Sequence, residues 1–243
     1  MDRVKLLDVY IDDVSVDDVL DRIKLWCREK GPHQIVTADA YMVELASVDA
    51  DFRQLMLSAD LVTPDSSGVL LASKIAGTPI RGKASGCVIA ESLCRVSGSE
   101  GISIYFLGAS EESNRGAVAR MKEKYPDMLA AGRRNGYFDE SESSAIAAEI
   151  KASGADVVFA AMGIPKQDYW IKKYLPETGA SAAIGIGGTF DVMSGLVSRA
   201  PVIWQKLYLE WLYRYFQAPK KSYKLGRLPG FFAKVLADRL KNK

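Results

Sequence analysis

Histidine occurs once in the 243 residues, at His33, and cysteine three times, at Cys27, Cys87 and Cys94. With one imidazole and no Cys-x-x-Cys pair, the usual cysteine and histidine zinc sites are excluded. Three thiols cannot all be joined within the chain, and a reducing compartment is expected for them. Also missing is any apolar run of the ~18 residues that a membrane-spanning helix needs. The opening stretch, MDRVKLLDVYIDDVSVDD, interleaves charges with short apolar runs and lacks the long apolar segment of a signal peptide, so a cytoplasmic location is expected. No Walker sequence is present. GIGGTF, at 185–190, has Phe190 where the third glycine of a dinucleotide fingerprint should stand, and it falls late in the chain rather than in a first βα unit. A nicotinamide enzyme is therefore the weaker alternative.

What is present is enough apolar material, 48% of residues, for a sizeable core. The formal charge of +2 conceals an asymmetry. From Arg199 to Lys243 there are 11 Lys or Arg against Glu210 and Asp238, a net +9 that leaves −7 on residues 1–198. An acidic body thus carries a basic tail. We divide the chain accordingly into an α/β catalytic domain over 1–198 and a C-terminal appendage over 199–243.

Through the first 200 residues apolar runs alternate with helical patterns. KLLDVYI, HQIVTA, DLVTP, ISIYFLG, ADVVFAAMG and SAAIGIGG read as strands. Helices are expected from near Ser15, Ala40, Ser67, Ala84, Glu111, Glu140, Pro165 and Pro201. The alternation predicts an α/β fold, a largely parallel Rossmann-like sheet flanked by helices, with a basic, aromatic, helical C-terminal appendage. Three strand ends, FLGASEES, AMGIPKQD and GIGGTFDV, pass through glycine into a helix. Gly108, Gly163, Gly187 and Gly188 there permit tight turns, and helix starts gathered at one crevice suit a phosphate-bearing ligand. Asp49 and Asp51 are spaced like a metal-holding DxD pair, but between helical patterns they read as cap and solvated carboxylate, so no metal requirement is expected.

Asp65, in LVTPDSSGVLLASK, sits where a strand passes into a helix. A capping role would explain a carboxylate there, and so would chemistry, because open α/β sheets bind ligands beyond the carboxyl ends of their strands. In the tail, Trp204, Leu207, Trp211, Leu212 and Tyr215 form an apolar stripe at helical spacing, interleaved with or followed by Lys206, Arg214, Lys220, Lys221, Lys224 and Arg227. That combination suits an anionic membrane surface. Packing on the body and cover by a neighbouring subunit, hence a homo-oligomer, stay open. Nucleic acid is disfavoured by the acidic body and the lack of any recognition motif.

Taken together, TPDSSGVLLASK, YFLGASEE, NGYF, GADVVFAAMGIPKQDYWI, IGIGGTFDVMSG and SRAPVIWQKLYLEWLYRYFQAP resemble the WecG/TagA/CpsF glycosyltransferases, in the same order and over nearly the whole chain. The resemblance implies an inverting, metal-independent transferase that needs no cofactor. It would move a sugar, typically N-acetylmannosamine, from a UDP-sugar donor to the 4-hydroxyl of N-acetylglucosamine carried on a polyprenyl diphosphate, for a cell-surface polymer. It further implies a protein peripheral on the inner face of the cell membrane, with the appendage docking there. Another donor, such as UDP-glucose or a uronic acid derivative, and a noncatalytic sugar-nucleotide or lipid-diphosphate binding protein remain alternatives.

By the same resemblance Asp65 is the catalytic base and Thr37 contacts donor or acceptor. Gly136 and Tyr137 meet the uridine, Lys166, Gln167 and Asp191 line the nucleotide-sugar pocket, and Arg214, Lys221 and Lys224 approach the acceptor diphosphate. Read locally, Tyr137 could be core, Lys166 and Gln167 solvent-facing, and Asp191 a helix cap. The chain departs from the family pattern at Asp39, where asparagine is common, at Lys83, where an arginine is expected, and at Val88, where an acidic residue often stands. Lysine lacks the two-pronged grip of arginine, for which Arg81 is the nearby substitute.

Overall fold

The computed structural model describes residues 2–198, Trp204 and residues 228–241. Six strands pair in parallel in the order β4-β3-β8-β7-β5-β6. They are β3 (His33–Ala38), β4 (Leu61–Pro64), β5 (Ile104–Gly108), β6 (Ala130–Arg134), β7 (Val157–Ala161) and β8 (Ala182–Gly185). The expected α/β class and largely parallel sheet are thus observed.

Both faces of the sheet are covered, which is why its strands read as near-continuous apolar runs. Ile104, Phe106, Val157, Phe159 and Ile184 point to one face and pack with α1 (Val16–Glu29), α5 (Gly86–Glu100), α6 (Glu111–Lys124) and α9 (Thr189–Met193). Tyr105, Leu107, Val158, Ala160 and Ala183 point to the other, against α7 (Ser143–Ser153) and α8 (Lys166–Thr178). At the β4 edge, α2 (Ala40–Ala46), α3 (Ala50–Ser58) and α4 (Ser67–Ala76) enclose Val36, Ala38 and Val62.

Local signals set the helix ends. Ser15 and Asp18 form a reciprocal box at the start of α1, each accepting the other's backbone N–H. Gly77, Gly101, Gly154 and Gly179 end α4, α5, α7 and α8 in the left-handed conformation.

KLLDVYI is not one strand. It folds as an antiparallel hairpin, β1 (Arg3–Leu6) and β2 (Val9–Asp12), around a turn with Leu7 at φ 52°. The hairpin protects the β4 edge through Asp12. This carboxylate, 2% exposed, accepts the Val62 N–H at 2.7 Å and Arg3 Nε–H at 2.8 Å.

The last helix, α10 (Leu228–Lys241), packs on α4 and α2, burying Phe231 and Val235 in the same core cluster as Val36 and Val62. Its Arg239 donates to the Ile75 carbonyl at 2.8 Å. Part of the appendage therefore belongs to the body's packing. Among the described residues no helix is long and apolar enough to cross a membrane.

Replacing Asp12 with Ala should destabilise the fold by about 1–3 kcal/mol, since it strands a buried N–H and frees the hairpin. Urea unfolding would check this; an unchanged midpoint would contradict the anchoring role.

Candidate active site

The chain lays β3 and then β4 toward one edge, and β5 and then β6 toward the other, before β7 and β8 fill the middle. Crevices at such reversals open beyond the carboxyl ends of the strands. The sequence-predicted site residues within the described part lie there, Arg81 and Lys83 being on the loop after α4 that returns to this edge where the Ala84 N–H donates to the Pro64 carbonyl at 2.9 Å.

Asp65 follows β4 and is half-buried. Its N–H donates to the Ala38 carbonyl at 3.0 Å, and its Oδ1 accepts the Gly86 N–H at 2.6 Å. It does not cap its own helix. Ser66 does that, accepting the Val69 N–H at 3.3 Å. Thr37, on β3, is buried, and its hydroxyl donates to the Gly185 carbonyl at 2.6 Å. Asp39 caps α2 by accepting the Met42 N–H at 2.8 Å.

Arg81 bonds to Asp13 of the segment after β2. Its Nε–H donates to Asp13 Oδ2 at 2.9 Å, its Nη2–H to the Asp13 carbonyl at 2.8 Å, and its backbone N–H to Asp13 Oδ1 at 3.0 Å. These bonds pin the loop between α4 and α5. Lys83, farther along that loop, is half-buried.

At the other strands, close backbone approach governs. A Cβ on Gly108, at φ +121°, would lie 2.5 Å from Ala161 backbone atoms, and one on Gly136 would lie 3.0 Å from Gly108 Cα. Asn114 Nδ2 ties these loops together, at 2.9 Å from the Gly108 carbonyl and 3.0 Å from that of Arg134. Tyr137 is therefore not core; it stands 82% exposed. Beside it Lys166 Nζ lies 4.9 Å from the centre of the Phe138 ring. Lys166 is exposed, whereas Gln167 does not face solvent. It is buried, with Oε1 accepting the Gly187 N–H at 3.0 Å, ahead of Gly188 at the start of α9. On α9, Asp191 Oδ1 accepts the Ser113 hydroxyl hydrogen at 2.5 Å, tying α9 to α6.

Two groupings result. Asp65, Gly86, Thr37, Gly185, Gln167 and Gly187 adjoin one another at the ends of β4, β3 and β8; Gly108, Gly136 and Asn114 adjoin at β5 and β6. The helix starts differ in charge. α6 opens with Glu111 and Glu112, which disfavour a diphosphate, whereas α8 opens with the exposed Lys166 and carries the buried Asp168 in its first turn. Arg214, Lys221 and Lys224 lie outside the described residues.

Other candidate chemistry is already committed. Burial pushes the Cys27 thiol up to about 11 and the Cys94 thiol up to about 12, so neither is a thiolate at neutral pH. Asp49 caps α3, accepting the Phe52 N–H at 3.0 Å. Among the described residues no three His, Cys, Asp or Glu converge as metal ligands. A cleft of about 330 Å³ lies at the amino ends of β3 and β4, away from the crevice, with Trp26, His33 and Asp60 in its lining. Asp60 there is engaged in fold bonds, including the Gln34 N–H at 2.9 Å.

Sequence reasoning passed over Gly86, Asp13, Gly185, Ser113 and Asn114. Of these, Gly185 opens GIGGTF and Ser113 closes FLGASEES, and Gly86 stands three residues after Lys83.

A parallel α/β sheet with the Asp65 carboxylate and glycine-rich helix starts at its carboxyl edge fits a group transferase, and the chain belongs to the WecG/TagA/CpsF family of glycosyl transferases, which it matches over residues 4–243. It is similar to an N-acetylglucosaminyldiphosphoundecaprenol N-acetyl-beta-D-mannosaminyltransferase of Bacillus spizizenii, 32% identical over 202 residues, covering 83% of this chain and 78% of the relative. A Staphylococcus aureus protein of the same description is 27% identical over 243 residues, covering 99% and 95%.

Gly185→Ala is expected to cost about 1–3 kcal/mol, because its Cβ would meet Gln167 Nε2 at 2.6 Å and Asp168 Oδ1 at 2.9 Å. Thermal unfolding measures this, and an unshifted transition would show that the pocket floor is looser than described.

Proposed function

We propose that this chain transfers N-acetylmannosamine from UDP to the 4-hydroxyl of N-acetylglucosamine linked through diphosphate to a polyprenol, with inversion at the anomeric carbon. The observation that carries the reading is the half-buried Asp65 carboxylate at the crevice, fixed by the Gly86 N–H at 2.6 Å. Family membership and the names of both relatives support it.

In the proposed step the acceptor oxygen forms the new bond to the anomeric carbon as its proton passes to Asp65. The bond from that carbon to the donor's phosphate oxygen breaks on the opposite side, and UDP leaves with the electron pair. A diphosphate leaving group spreads its own charge and needs cations or N–H donors rather than a second acid. Lys166 and the first turn of α8 are suited to that task. Tyr137, held out into solvent, offers a ring on which a uracil can stack.

The basic appendage completes the proposal. Arg214, Lys221 and Lys224 would meet the acceptor diphosphate while the aromatic stripe rests on anionic lipid, making the protein peripheral on the cytoplasmic face of the membrane.

Two experiments test this. UDP-sugars are screened against undecaprenyl-diphosphate N-acetylglucosamine, or a short-chain analogue, with product mass read directly; N-acetylmannosamine should be the preferred donor sugar. In that assay Asp65→Asn should lower UDP release by about 10²–10⁴-fold while UDP binding persists. Preference for another sugar, or an unimpaired Asp65→Asn enzyme, would contradict the proposal. Changing Arg214, Lys221 and Lys224 together to Gln should weaken binding to phosphatidylglycerol vesicles by about tenfold or more at physiological salt. Unchanged partitioning would remove the tail from this role.

A further inference from the structure

Helix α5 lacks a side-chain cap of its own. Ser85 stands at the cap position, at φ −79° and ψ 145°, and makes no side-chain bond to the helix. Instead Gly86, the first helical residue, donates its N–H to Asp65 Oδ1, 21 positions earlier in the chain, at 2.6 Å. The carboxylate assigned above as the base therefore caps a helix of 15 residues that is not its own.

The approach is braced on both sides. The Ala84 N–H donates to the Pro64 carbonyl at 2.9 Å, one residue before Asp65, and Asp13 fixes Arg81 upstream. Behind Gly86, a Cβ would lie 3.2 Å from Thr37 Cγ2 and Oγ1 and 3.5 Å from Ile186 Cα. Glycine lets the start of α5 lie on β3 and on the residue after β8, which brings its N–H within reach of Asp65.

We propose that the Gly86 N–H, at the positive end of α5, is the positioning group for the catalytic base, fixing the orientation of Asp65 and keeping its carboxylate ionised when the acceptor hydroxyl arrives. The inference rests on Asp65 being the base. An N–H donated to a carboxylate favours the charged form, the helix end and Lys83 on the loop before α5 act in the same sense, and Asp39, which emerges beside Asp65, opposes them. The cost is some basicity; the gain is an oriented acceptor. The proton from the sugar hydroxyl goes to the Asp65 carboxylate and passes to solvent once UDP has left.

The first test uses the full, unaltered chain labelled with [15N]glycine, the Gly86 amide being identified by its loss in Gly86→Ala. Its resonance should titrate with a midpoint matching the acid limb of the UDP-release profile, and this titration should vanish in Asp65→Asn. An amide that ignores pH across that limb, or titrates equally in Asp65→Asn, overturns the proposal.

The second test compares Gly86→Pro with Gly86→Ala. Proline is accepted at a first helical position, and Ser85 already has the extended conformation that a following proline requires. Both variants place a Cβ against Thr37, but only proline removes the N–H. The acid limb of kcat/KM should move up by about one pH unit in Gly86→Pro relative to Gly86→Ala. Coincident limbs overturn the proposal, and if Gly86→Pro does not fold, the amide titration decides. Should Asp65→Asn turn over normally, the base assignment fails, while the amide titration still reports whether Gly86 holds Asp65.

Discussion

Parallel pairing is the constraint on which the site depends. Because β3 and β4 run side by side with Ala38 opposite Pro64, the residues that follow them, Asp39 and Asp65, emerge next to each other at one edge of the sheet. The same geometry delivers the turns after β8, β7, β5 and β6 to that edge. Parallel strands require crossovers, the crossovers are helices, and helices begin at the edge where the strands end. A row of helix starts facing one crevice is a consequence of the connectivity; which of them serve chemistry is decided by the side chains placed on each.

Those side chains divide the edge. Acidic residues open α6, where Glu111 pairs with Arg133 at 2.7 Å, while Lys166 opens α8. On the larger scale residues 1–198 carry −7 and the remainder +9. A body of that sign would be repelled by anionic lipid and by a diphosphate-bearing acceptor alike, so the proposed function assigns the attraction to the basic segment. Just before that segment the Val197 N–H donates to the Asp191 carbonyl at 3.0 Å, and within it Phe231 is buried against the core beside α4.

Legibility in the sequence followed burial. HQIVTA coincides with β3 and the cores of DLVTP, ADVVFAAMG and SAAIGIGG with β4, β7 and β8, because strands covered on both faces must be apolar throughout. AAGRR escaped notice as β6 since an edge strand needs no such run, and its arginines are paired outward with Glu111, Glu142 and Glu149. KLLDVYI read as one strand because Asp8, the turn residue, interrupts an apolar pattern that continues correctly on both sides. Asp65 was legible as a residue at a strand-to-helix joint, and the family motifs gave it a role. Its partner was not legible: a bond between positions 65 and 86 follows from how two loops fold together, and neither loop announces the other. The same holds for the bonds between Asp13 and Arg81, which join positions 68 apart in the chain.

A single carboxylate acting as base, with UDP leaving from the opposite side of the sugar carbon, fixes the stereochemistry of the product. The most direct measurement is the one-bond carbon–proton coupling at the anomeric position of the lipid-linked disaccharide, made from an α-linked UDP donor and read by NMR. The account predicts a β linkage. An α linkage would require two displacements or a front-side path, and would contradict it.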